Sequence, residues 1–551
     1  MRKIFKVLGW FFGILIILLV AAILYVRRVS TITEPALASM EAINAQVSEP
    51  DSGLFVLGNN WFRKSESGLY ELYVEGKPFE RGVANGKLTK DLVQYQEKVF
   101  NDQIREMIPS KAYLGVLKYF VGWFNRNIDA HVPEEFKEEI YGISLSASHD
   151  YDNIAPSYQR ILNYHAAHDI GHSLQNMSLV GCTSFATWDD QSEDSTLIIG
   201  RNFDFYVGDA FAENKIIAFY NPDQGYRFMM ITFGGMTGVL SGMNDQGLTV
   251  TINAAKSDIP TGAAMPVSLV AREILQYAST ISEAFEIAKK REMFVAESFL
   301  IGSAKDKRAA IIEKSPHNIA LYESGKNHII CTNHFQSETL GGAGINQKHV
   351  KTSASAYRYA RVEELLKRQD KNNVLKTASI LRNQNGLNDK PIGLGNEKAI
   401  NQLIAHHGII FQPVKQLVWI STAPWQLGKF VCYDLKKVFS MLPSENKEIY
   451  EAELTIPADS FLDSPLYKNA LKFNQYRFPF HSRDNLSPDS LVAWNPNSYQ
   501  AYMIAGDLYL KKKDFKSARL LYEKALQREI ATLQERGHIE KSLRHCKNEL
   551  Q

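Results

Sequence analysis

Residues 181–205 read GCTSFATWDDQSEDSTLIIGRNFDF, and this stretch decides the fold. Two strand-like runs, TSFATWD and STLIIGRNFDF, flank the polar turn DDQSED, a pattern typical of a β-hairpin. If the two strands pair across this turn, Arg201 and Asp204 return to the side of Cys182. The hairpin therefore predicts a thiol, a guanidinium and a carboxylate in one place.

The chemistry of these three groups predicts a nucleophile. A lone Cys at the start of a strand would be interpreted as a small buried residue. Here, however, four consecutive positions of an apolar strand hold an Arg, an Asn and an Asp. Packing alone explains these three polar side chains less well. A neighbouring cation lowers the pKa of a thiol and favours the nucleophilic thiolate, and the carboxylate could orient the Arg or accept a proton.

Two segments of this stretch resemble a known family. Gly-Cys-Thr-Ser-Phe at 181–185 and Gly-Arg-Asn-Phe-Asp-Phe at 200–205 resemble the N-terminal-nucleophile hydrolases of the isopenicillin-N (acyl-CoA:6-aminopenicillanic acid) acyltransferase group. These are related to choloylglycine hydrolases, penicillin V acylases and acid ceramidase-like amidases. The resemblance covers roughly 69–435 and includes YELYVEGKPFERGVANGKL upstream. It implies an α+β fold, a four-layer αββα sandwich.

The resemblance also implies self-cleavage between Gly181 and Cys182. The thiol would attack the preceding carbonyl, and Gly offers no side chain to block the approach. Hydrolysis would then free an N-terminal Cys182. Its α-amine, with a pKa of about 7.7–8.0 in model peptides, could act as the general base for its own thiol. We therefore expect a hydrolase of linear amides, or an acyltransferase, that forms an acyl-thioester without a cofactor.

The site residues of this family can be matched to positions of this sequence one at a time. Arg201 matches the Arg near the nucleophile, and Asp204 the Asp that contacts the free Cys amine and thiol. Asn253, in LTVTINAA, matches the Asn that helps to form the oxyanion hole. Asn333, in CTNHF, matches the second Asn near the nucleophile, and Arg358, in SAYRYAR, matches the Arg of the family's Ser-x-x-Arg helix.

The N-terminus predicts a membrane anchor at 1–28. Residues 7–26, VLGWFFGILIILLVAAILYV, are 20 uncharged residues, enough for a helix to cross a bilayer. A cleaved signal peptide is the alternative, but the run ends in LYVRRVS without a small-x-small cleavage site. The slightly more basic N-terminal flank favours the N-terminus inside and the body in the periplasm or outside the cell.

The rest of the chain divides into four predicted segments. Residues 29–66 are interpreted as an irregular tether, 67–181 as a mainly helical leader, 182–485 as the catalytic body and 494–551 as a tail. Strands and helices in blocks within the body indicate an α+β layered domain. The aromatic stretch YFVGWFNRN at 119–127 is interpreted as helix packing, with lipid contact as the alternative.

The tail carries aromatic and small residues at the spacing of one tetratricopeptide helix pair. They include Tyr502, Gly506, Tyr509, Ala518 and Tyr522. A single repeat cannot bury its own face, so the tail is expected to dock on the body. Recruitment of a protein partner is the alternative.

Other features favour ordinary structural roles. With 62 basic and 60 acidic residues the net charge is +2, which gives no reason to expect nucleic acid. The four cysteines show no CxxC spacing, so neither a disulfide framework nor a zinc site is expected. The run HAAHDIGH at 165–172 aligns three histidines on one helical face, yet burial or positioning of the leader is preferred over a metal. His406 and His407 are interpreted as a strand or loop pair.

Two functional classes follow from this sequence. The first is a membrane-anchored amidase or acyltransferase with Cys182 as nucleophile, for which a lipid-like N-acyl amide is the hypothetical substrate. The second is an inactive relative that acts as a membrane-tethered scaffold through its helical tail. The membrane anchor and the C-terminal extension depart from the family pattern and leave the substrate open.

Overall fold

The computed structural model describes residues 2–166, 169, 181–256, 262–440, 447–478, 481–483 and 486–551. Within these ranges the chain forms two β-sheets and helices on either side of them. The strands are β1 (Ser48–Asp51), β2 (Leu54–Leu57), β3 (Asn60–Lys64), β4 (Tyr70–Gly76), β5 (Thr183–Thr187), β6 (Ile198–Asp204), β7 (Ile216–Pro222), β8 (Phe228–Thr232), β9 (Ser241–Asn244), β10 (Leu248–Ala254), β11 (Glu297–Ser303), β12 (Arg308–Lys314), β13 (Ile319–Tyr322), β14 (His328–Cys331), β15 (Ala405–Gln412), β16 (Leu417–Ser421), β17 (Phe430–Asp434) and β18 (Tyr450–Ile456).

The α-helices fall before, between and after these strands. They are α1 (Arg2–Ser30), α2 (Pro78–Leu88), α3 (Lys90–Met107), α4 (Lys111–Phe124), α5 (Ile128–His131), α6 (Glu134–Ser144), α7 (Ser157–His165), α8 (Val267–Tyr277), α9 (Ile281–Lys290), α10 (Glu338–Gly341), α11 (Gly344–Thr352), α12 (Ser355–Arg368), α13 (Val374–Leu381), α14 (Leu435–Val438), α15 (Pro465–Arg477), α16 (Pro488–Trp494), α17 (Tyr499–Lys511), α18 (Phe515–Leu526) and α19 (Leu533–Glu549).

The two sheets are almost wholly antiparallel. The larger sheet has the order β1-β2-β3-β4-β7-β8-β9-β10-β11-β12-β13, and only its β4–β7 pair is parallel. The smaller sheet has the order β14-β5-β6-β15-β16-β17-β18. Strand β5, which begins directly after Cys182, and strand β6, which carries Arg201, therefore lie in the smaller sheet.

Three buried clusters define four layers. The first joins α2, α6, α7, α8 and α9 to one face of the larger sheet, through residues such as Val83, Ile140 and Ile252. The second lies between the two sheets, where Phe219 of the larger sheet and Ile409 of the smaller one are both buried. The third packs α12 and α13 against the far face of the smaller sheet. The order helices, sheet, sheet, helices agrees with the predicted layering, and the α+β class is confirmed.

The segment 29–66, predicted as an irregular tether, is partly β-structure. Strands β1, β2 and β3 extend the larger sheet beyond β4, with Phe62 opposite Leu72. The prediction missed them because the strands are only four or five residues long and β1 reads SEPD, which is polar and contains Pro.

Helix α1 is long and apolar enough to cross a membrane, and none of its most apolar stretch is buried by the protein. A signal sequence near an N-terminus has the same properties. The stretch 119–127, predicted to pack into the core, lies mostly in α4. No residue of α4 is fully buried, yet Phe124 packs against the first cluster and Asn125 just after the helix is buried, so the predicted packing holds only in part.

The C-terminal helices contact the body. Asn495 and Leu394 exchange two hydrogen bonds, and the Asn396 side chain donates to the Glu529 carbonyl. Lys398 forms an ion pair with Glu529 at 2.7 Å. These contacts agree with the prediction that the tail docks on the body. The assignment of the tail as a tetratricopeptide unit stays a prediction.

Candidate active site

The predicted hairpin forms and joins three of the predicted site residues. In the β5–β6 register, Ser184 lies opposite Arg201 and Thr183 opposite Asn202, so Cys182 sits next to the end of β6. The Arg201 Nη2 atom lies 3.8 Å from the Cys182 Sγ. Cys182, Arg201 and Asp204 are all fully buried.

The Arg201 guanidinium is held on several sides. Its nitrogens donate to the Ser241 Oγ and to the Ile252 carbonyl, both at 2.5 Å. The Phe203 ring stacks beneath it, 4.3 Å from the guanidinium carbon. This side chain is therefore fixed before any substrate binds.

Burial raises the pKa of the Cys182 thiol to about 11, and the nearby Arg201 lowers it only in part. The prediction of a lowered thiol pKa is therefore wrong for the intact chain. The physical reason is desolvation, which opposes the thiolate more than one guanidinium favours it. The sequence shows the cation but not the depth of burial.

Asp204 contributes a carboxylate without a hydrogen-bond partner in the described part of the chain. Burial raises its pKa to about 7, while the guanidinium groups of Arg358 and Arg201 oppose the shift. The main-chain carbonyl of Asp204 accepts from the Gly181 amide at 3.0 Å and faces the Cys182 Sγ at 3.9 Å. A buried carboxyl group without a described partner is costly in a purely structural role, so Asp204 stays a candidate functional residue.

The Gly181 carbonyl oxygen accepts hydrogen bonds from two buried side chains. Arg358 Nη1 donates to it at 2.8 Å and Gln402 Nε2 at 2.6 Å. The same Arg358 nitrogen contacts the Cys182 carbonyl at 2.6 Å and the Thr183 hydroxyl at 2.9 Å. A Cβ on Gly181 would lie 2.3 Å from Gln402 Nε2, so a side chain there would disturb this pair of donors.

The two predicted asparagines lie near Cys182, and neither has a hydrogen bond to the Cys182 sulfur among those described. Asn253 accepts from the Ser184 hydroxyl at 2.8 Å and donates to the Cys331 carbonyl at 3.1 Å. Asn333 accepts from Arg358 Nη2 at 2.7 Å and donates to the Ala254 carbonyl at 2.9 Å. The structure thus brings all six predicted residues into one buried network.

Gln402 was missed by the sequence analysis. It lies in an irregular segment that precedes β15, and no motif surrounds it. Its main-chain carbonyl accepts from Arg477 Nη1 of α15 at 3.0 Å, which fixes the loop next to Gly181. The position of Gln402 next to Gly181 depends on tertiary packing, which the local sequence does not show.

His406 and His407 lie on strand β15, in agreement with the interpretation as a strand or loop pair, but their hydrogen bonds to the site were not predicted. Arg201 can only donate, so the Ser241 oxygen accepts from it, and the Ser241 hydroxyl donates to His407 Nε2 at 2.9 Å. His407 then carries its proton on Nδ1 and donates to His406 Nδ1 at 2.9 Å. Burial lowers the pKa of His406 to about 3 and that of His407 well below its usual range, so both rings stay neutral.

Two other buried titratable groups, Glu297 and His165, lie outside the predicted set of site residues. Burial raises the pKa of Glu297 well above its usual range, and this fully buried carboxyl has no hydrogen-bond partner among the described residues. His165 is packed between the Ile161 carbonyl and the Thr237 amide. The other two histidines of the run, His168 and His172, lie outside the described residues.

An apolar cleft adjoins Arg201 through the Phe203 ring. It encloses about 620 Å³ of space between atoms, including its open mouth. The free space that it leaves inside is small, about 40 Å³, so its character is set by its lining. Its walls are mainly aromatic and aliphatic, and include Val93, Ile161, Tyr164, Phe203, Phe205, Phe211, Phe233 and Leu240.

Comparison with known proteins confirms the resemblance. Residues 191–420 match the family model of acyl-coenzyme A:6-aminopenicillanic acid acyl-transferases. An Archaeoglobus fulgidus protein without an assigned activity is 29% identical over 272 residues, which cover 46% of this chain and 45% of that protein. The chain thus spans less than half the length of this relative.

Two further matches carry a named activity. The N-acylethanolamine-hydrolyzing acid amidase of Caenorhabditis elegans is 24% identical over 255 residues, which cover 45% of this chain and 67% of that protein. A mutant form of the conjugated bile acid hydrolase of Clostridium perfringens has a TM-score of 0.33 at 13% identity. That match covers 49% of this chain and 96% of the other.

Proposed function

We propose, from the acyl-transferase match and the geometry at Gly181, that this chain cleaves itself before Cys182 and then acts as a cysteine amidase or acyltransferase. The observation that carries the proposal is the Gly181 carbonyl, which directly precedes Cys182 and whose oxygen accepts from both Arg358 and Gln402. Charge develops on this oxygen during nucleophilic attack, and two fixed donors stabilise it.

The proposed cleavage has two chemical steps, formation of a thioester and its hydrolysis. The Cys182 sulfur attacks the Gly181 carbonyl carbon, the Gly181–Cys182 amide bond breaks, and the thiol proton ends on the released amine. Water then hydrolyses the thioester between Gly181 and the sulfur, which gives a free Gly181 carboxylate and restores the thiol. Arg358 and Gln402 hold the carbonyl oxygen in both steps.

Cleavage changes the electrostatics of the site. The new α-amine of Cys182 would be close to Asp204, whose main-chain carbonyl already contacts Gly181 and Cys182 and whose side chain has no described hydrogen-bond partner, so that side chain could accept hydrogen bonds from the amine. Such an amine has a pKa of about 7.7–8.0 in model peptides and can take the thiol proton. Asp204 orients the amine, and Arg201 stabilises the thiolate that forms.

The second reaction uses the same groups on a linear amide. Cys182 forms an acyl-thioester, and water or an amine accepts the acyl group. Asn253 and Asn333 act as candidate donors to the oxyanion of the tetrahedral intermediate. The aromatic cleft beyond Phe203 suits an apolar acyl chain, and the activity named for the nematode relative is hydrolysis of N-acylethanolamines.

Helix α1 anchors the enzyme in the proposed arrangement, with the N-terminus inside and the body outside the cytoplasm. Its length and apolar composition support a single crossing. A membrane position favours a lipid-like N-acyl amide as substrate.

Substrate profiling tests this proposal. The purified full-length protein and its Cys182→Ala variant should be offered N-acyl amides of increasing acyl length and one short, water-soluble amide. We expect hydrolysis or transfer that increases with acyl length and is absent in Cys182→Ala. Cleavage of the short amide alone would refute the lipid-like substrate, and equal activity of Cys182→Ala would refute the nucleophile.

A further inference from the structure

Helix α4 carries an apolar surface that the protein does not cover. Tyr113, Val116, Phe120 and Trp123 are 57%, 67%, 49% and 38% exposed. Their spacings of three, four and three residues place them along one face of the helix. We call this row the α4 stripe. A continuous exposed apolar row of this kind is unusual on a surface that meets only water.

The α4 stripe lies beside the end of α1. A Cβ on Gly122 of α4 would lie 3.2 Å from the Ser30 Cβ, so the two helices touch at the last residue of α1. Gln159 of α7 donates to the Ser30 carbonyl at 2.6 Å and holds the same point. The exit of α1 is therefore fixed to the body next to α4.

The C-terminal end of α4 packs on the protein. Phe124 follows Phe120 by four residues and stacks on its ring, and the Phe124 ring also meets the buried Phe294 edge to face, with ring centroids 5.8 Å apart. Gly122 lies on the side of the helix opposite the stripe and faces Ser30. The stripe therefore belongs to a helix that is held at its end and along one side, and not to an unattached segment.

We propose that α4 lies in the headgroup region of the same bilayer that α1 crosses, with the α4 stripe facing the lipid. This inference rests on the proposed anchoring by α1. Trp and Tyr favour the membrane interface, and long basic side chains reach from it towards water. The helix carries Lys118, and the Arg126 guanidinium follows it 4.3 Å from the Trp123 ring. Arg27 and Arg28, in the last turn of α1, would lie at the same depth in the headgroup region as these two basic side chains.

This placement brings the apolar cleft close to the lipid. Gln159 contacts the end of α1, and Ile161, two residues further along α7, lines the cleft. Helix α7 is nine residues, or about 14 Å, long. The cleft is thus within about one length of α7 of the proposed lipid surface, a short distance for a lipid-like N-acyl amide.

Fluorophore labelling of the full-length protein tests the lipid contact. Val116→Cys, Ile17→Cys and Leu520→Cys each place one exposed thiol, on the α4 stripe, on α1 and on the tail helix α18. The four native cysteines are buried, which limits background labelling. Each variant is labelled with an environment-sensitive dye and reconstituted into phosphatidylcholine vesicles with or without spin-labelled phosphatidylcholine.

We expect strong quenching at Ile17 and Val116 and little at Leu520. Quenching at Ile17 without quenching at Val116 would overturn the inference while the anchor stands. No quenching at Ile17 would refute the anchor and the inference with it. A blue shift at Val116 without lipid quenching would indicate a protein partner or a second copy, and equal quenching at all three would indicate unspecific adsorption. Either result would also overturn the inference.

A functional readout is available from paired acidic substitutions. Val116→Asp with Phe120→Asp puts two charges on the α4 stripe and leaves the nucleophile site untouched. We expect self-cleavage to continue, and turnover of a vesicle-borne N-acyl amide to fall by about tenfold relative to a detergent-dispersed one. An equal rate on both substrate forms would contradict a role of α4 in lipid access.

Discussion

The Gly181 carbonyl oxygen shows how single residues define this site. Arg358 on α12 and Gln402 before β15 reach it from different parts of the chain, and both side chains are buried. In the proposed self-cleavage, negative charge develops on this carbonyl oxygen, and the two converging donors would stabilise it.

Replacement of Gln402 tests this role. Gln402→Ala removes one of the two donors to the Gly181 oxygen and should slow self-cleavage by about 10²–10³-fold. Gln426→Ala is the matched control, because it removes another buried amide that bonds the Leu381 carbonyl instead. The ratio of intact to cleaved chain over time, measured by mass, gives both rates. Equal rates in the two variants would contradict the role of Gln402.

Asp204 predicts a pH dependence of stability in the uncleaved chain. Burial raises its pKa from 3.8 to about 7, so the folded chain keeps a proton that the unfolded chain has already lost. The stabilisation is complete below about pH 4 and is lost as the pH rises through about 7. In a Cys182→Ala background, Asp204→Asn should remove a pH-dependent contribution of the order of 4 kcal/mol, since the amide does not titrate.

The measurement for Asp204 is the free energy of unfolding at low and neutral pH. The Cys182→Ala parent carries every other titrating group and serves as the control. The parent should lose more stability than the double variant as the pH rises. Parallel pH profiles would show that Asp204 has no raised pKa.

Part of this site can be predicted from sequence. Cys182, Arg201 and Asp204 are connected by one short hairpin, whose register follows from strand patterning. Gln402 and the His406–His407 pair could not be predicted, because they approach through contacts between distant segments. The direction of the Cys182 pKa was wrong for a related reason: burial outweighs the visible cation, and burial is a property of the folded chain.

At the scale of elements, close packing of β6 on α13 keeps Arg201 and Asp204 in place. Gly200 lies on β6, and a Cβ there would be 2.4 Å from the Thr377 side chain and 3.2 Å from the Phe185 ring. The strand and helix approach each other because Gly occupies this position. The long apolar run LIIGRNF predicts a buried strand, but only the structure shows which helix covers it.

Gly200→Ala should therefore destabilise the fold by about 1–3 kcal/mol through overpacking. Gly344→Ala is the matched control, because Gly344 opens α11, is exposed, and has no described atom within 4 Å of the position that a Cβ would take. That change should be neutral or slightly stabilising. Chemical denaturation of both variants in detergent measures the difference, and equal unfolding free energies would contradict the packing argument.

Strand prediction succeeded where apolar runs were long and failed where they were short. Residues 183–204 and 248–254 form strands as expected, whereas 48–64 was interpreted as irregular and forms β1–β3. Those short strands are stabilised by pairing at the edge of the larger sheet, β3 on β4, β2 on β3 and β1 on β2, which local propensity does not reveal. For α4 the helix was predicted correctly but its packing only in part, because the sequence of an apolar helix does not show what covers it.

At the scale of the whole molecule, the N- and C-terminal additions meet the catalytic layers at separate places. The end of α1 is fixed by α4 and α7 beside the helices that line the cleft. The tail helices pack against 393–398, a few residues before Gln402. Both additions therefore contact segments that lead to the candidate site. The sequence predicted each addition from its composition and could not predict these contacts.

The most direct test of self-cleavage is the intact mass and N-terminal sequence of the purified wild-type and Cys182→Ala proteins. The wild type should separate into fragments of about 20 and 42 kDa, in proportion to length from 62.3 kDa, with the larger fragment beginning at Cys182. Cys182→Ala should stay whole. A wild-type chain that remains intact, or a Cys182→Ala chain that is cut at the same bond, would contradict the account.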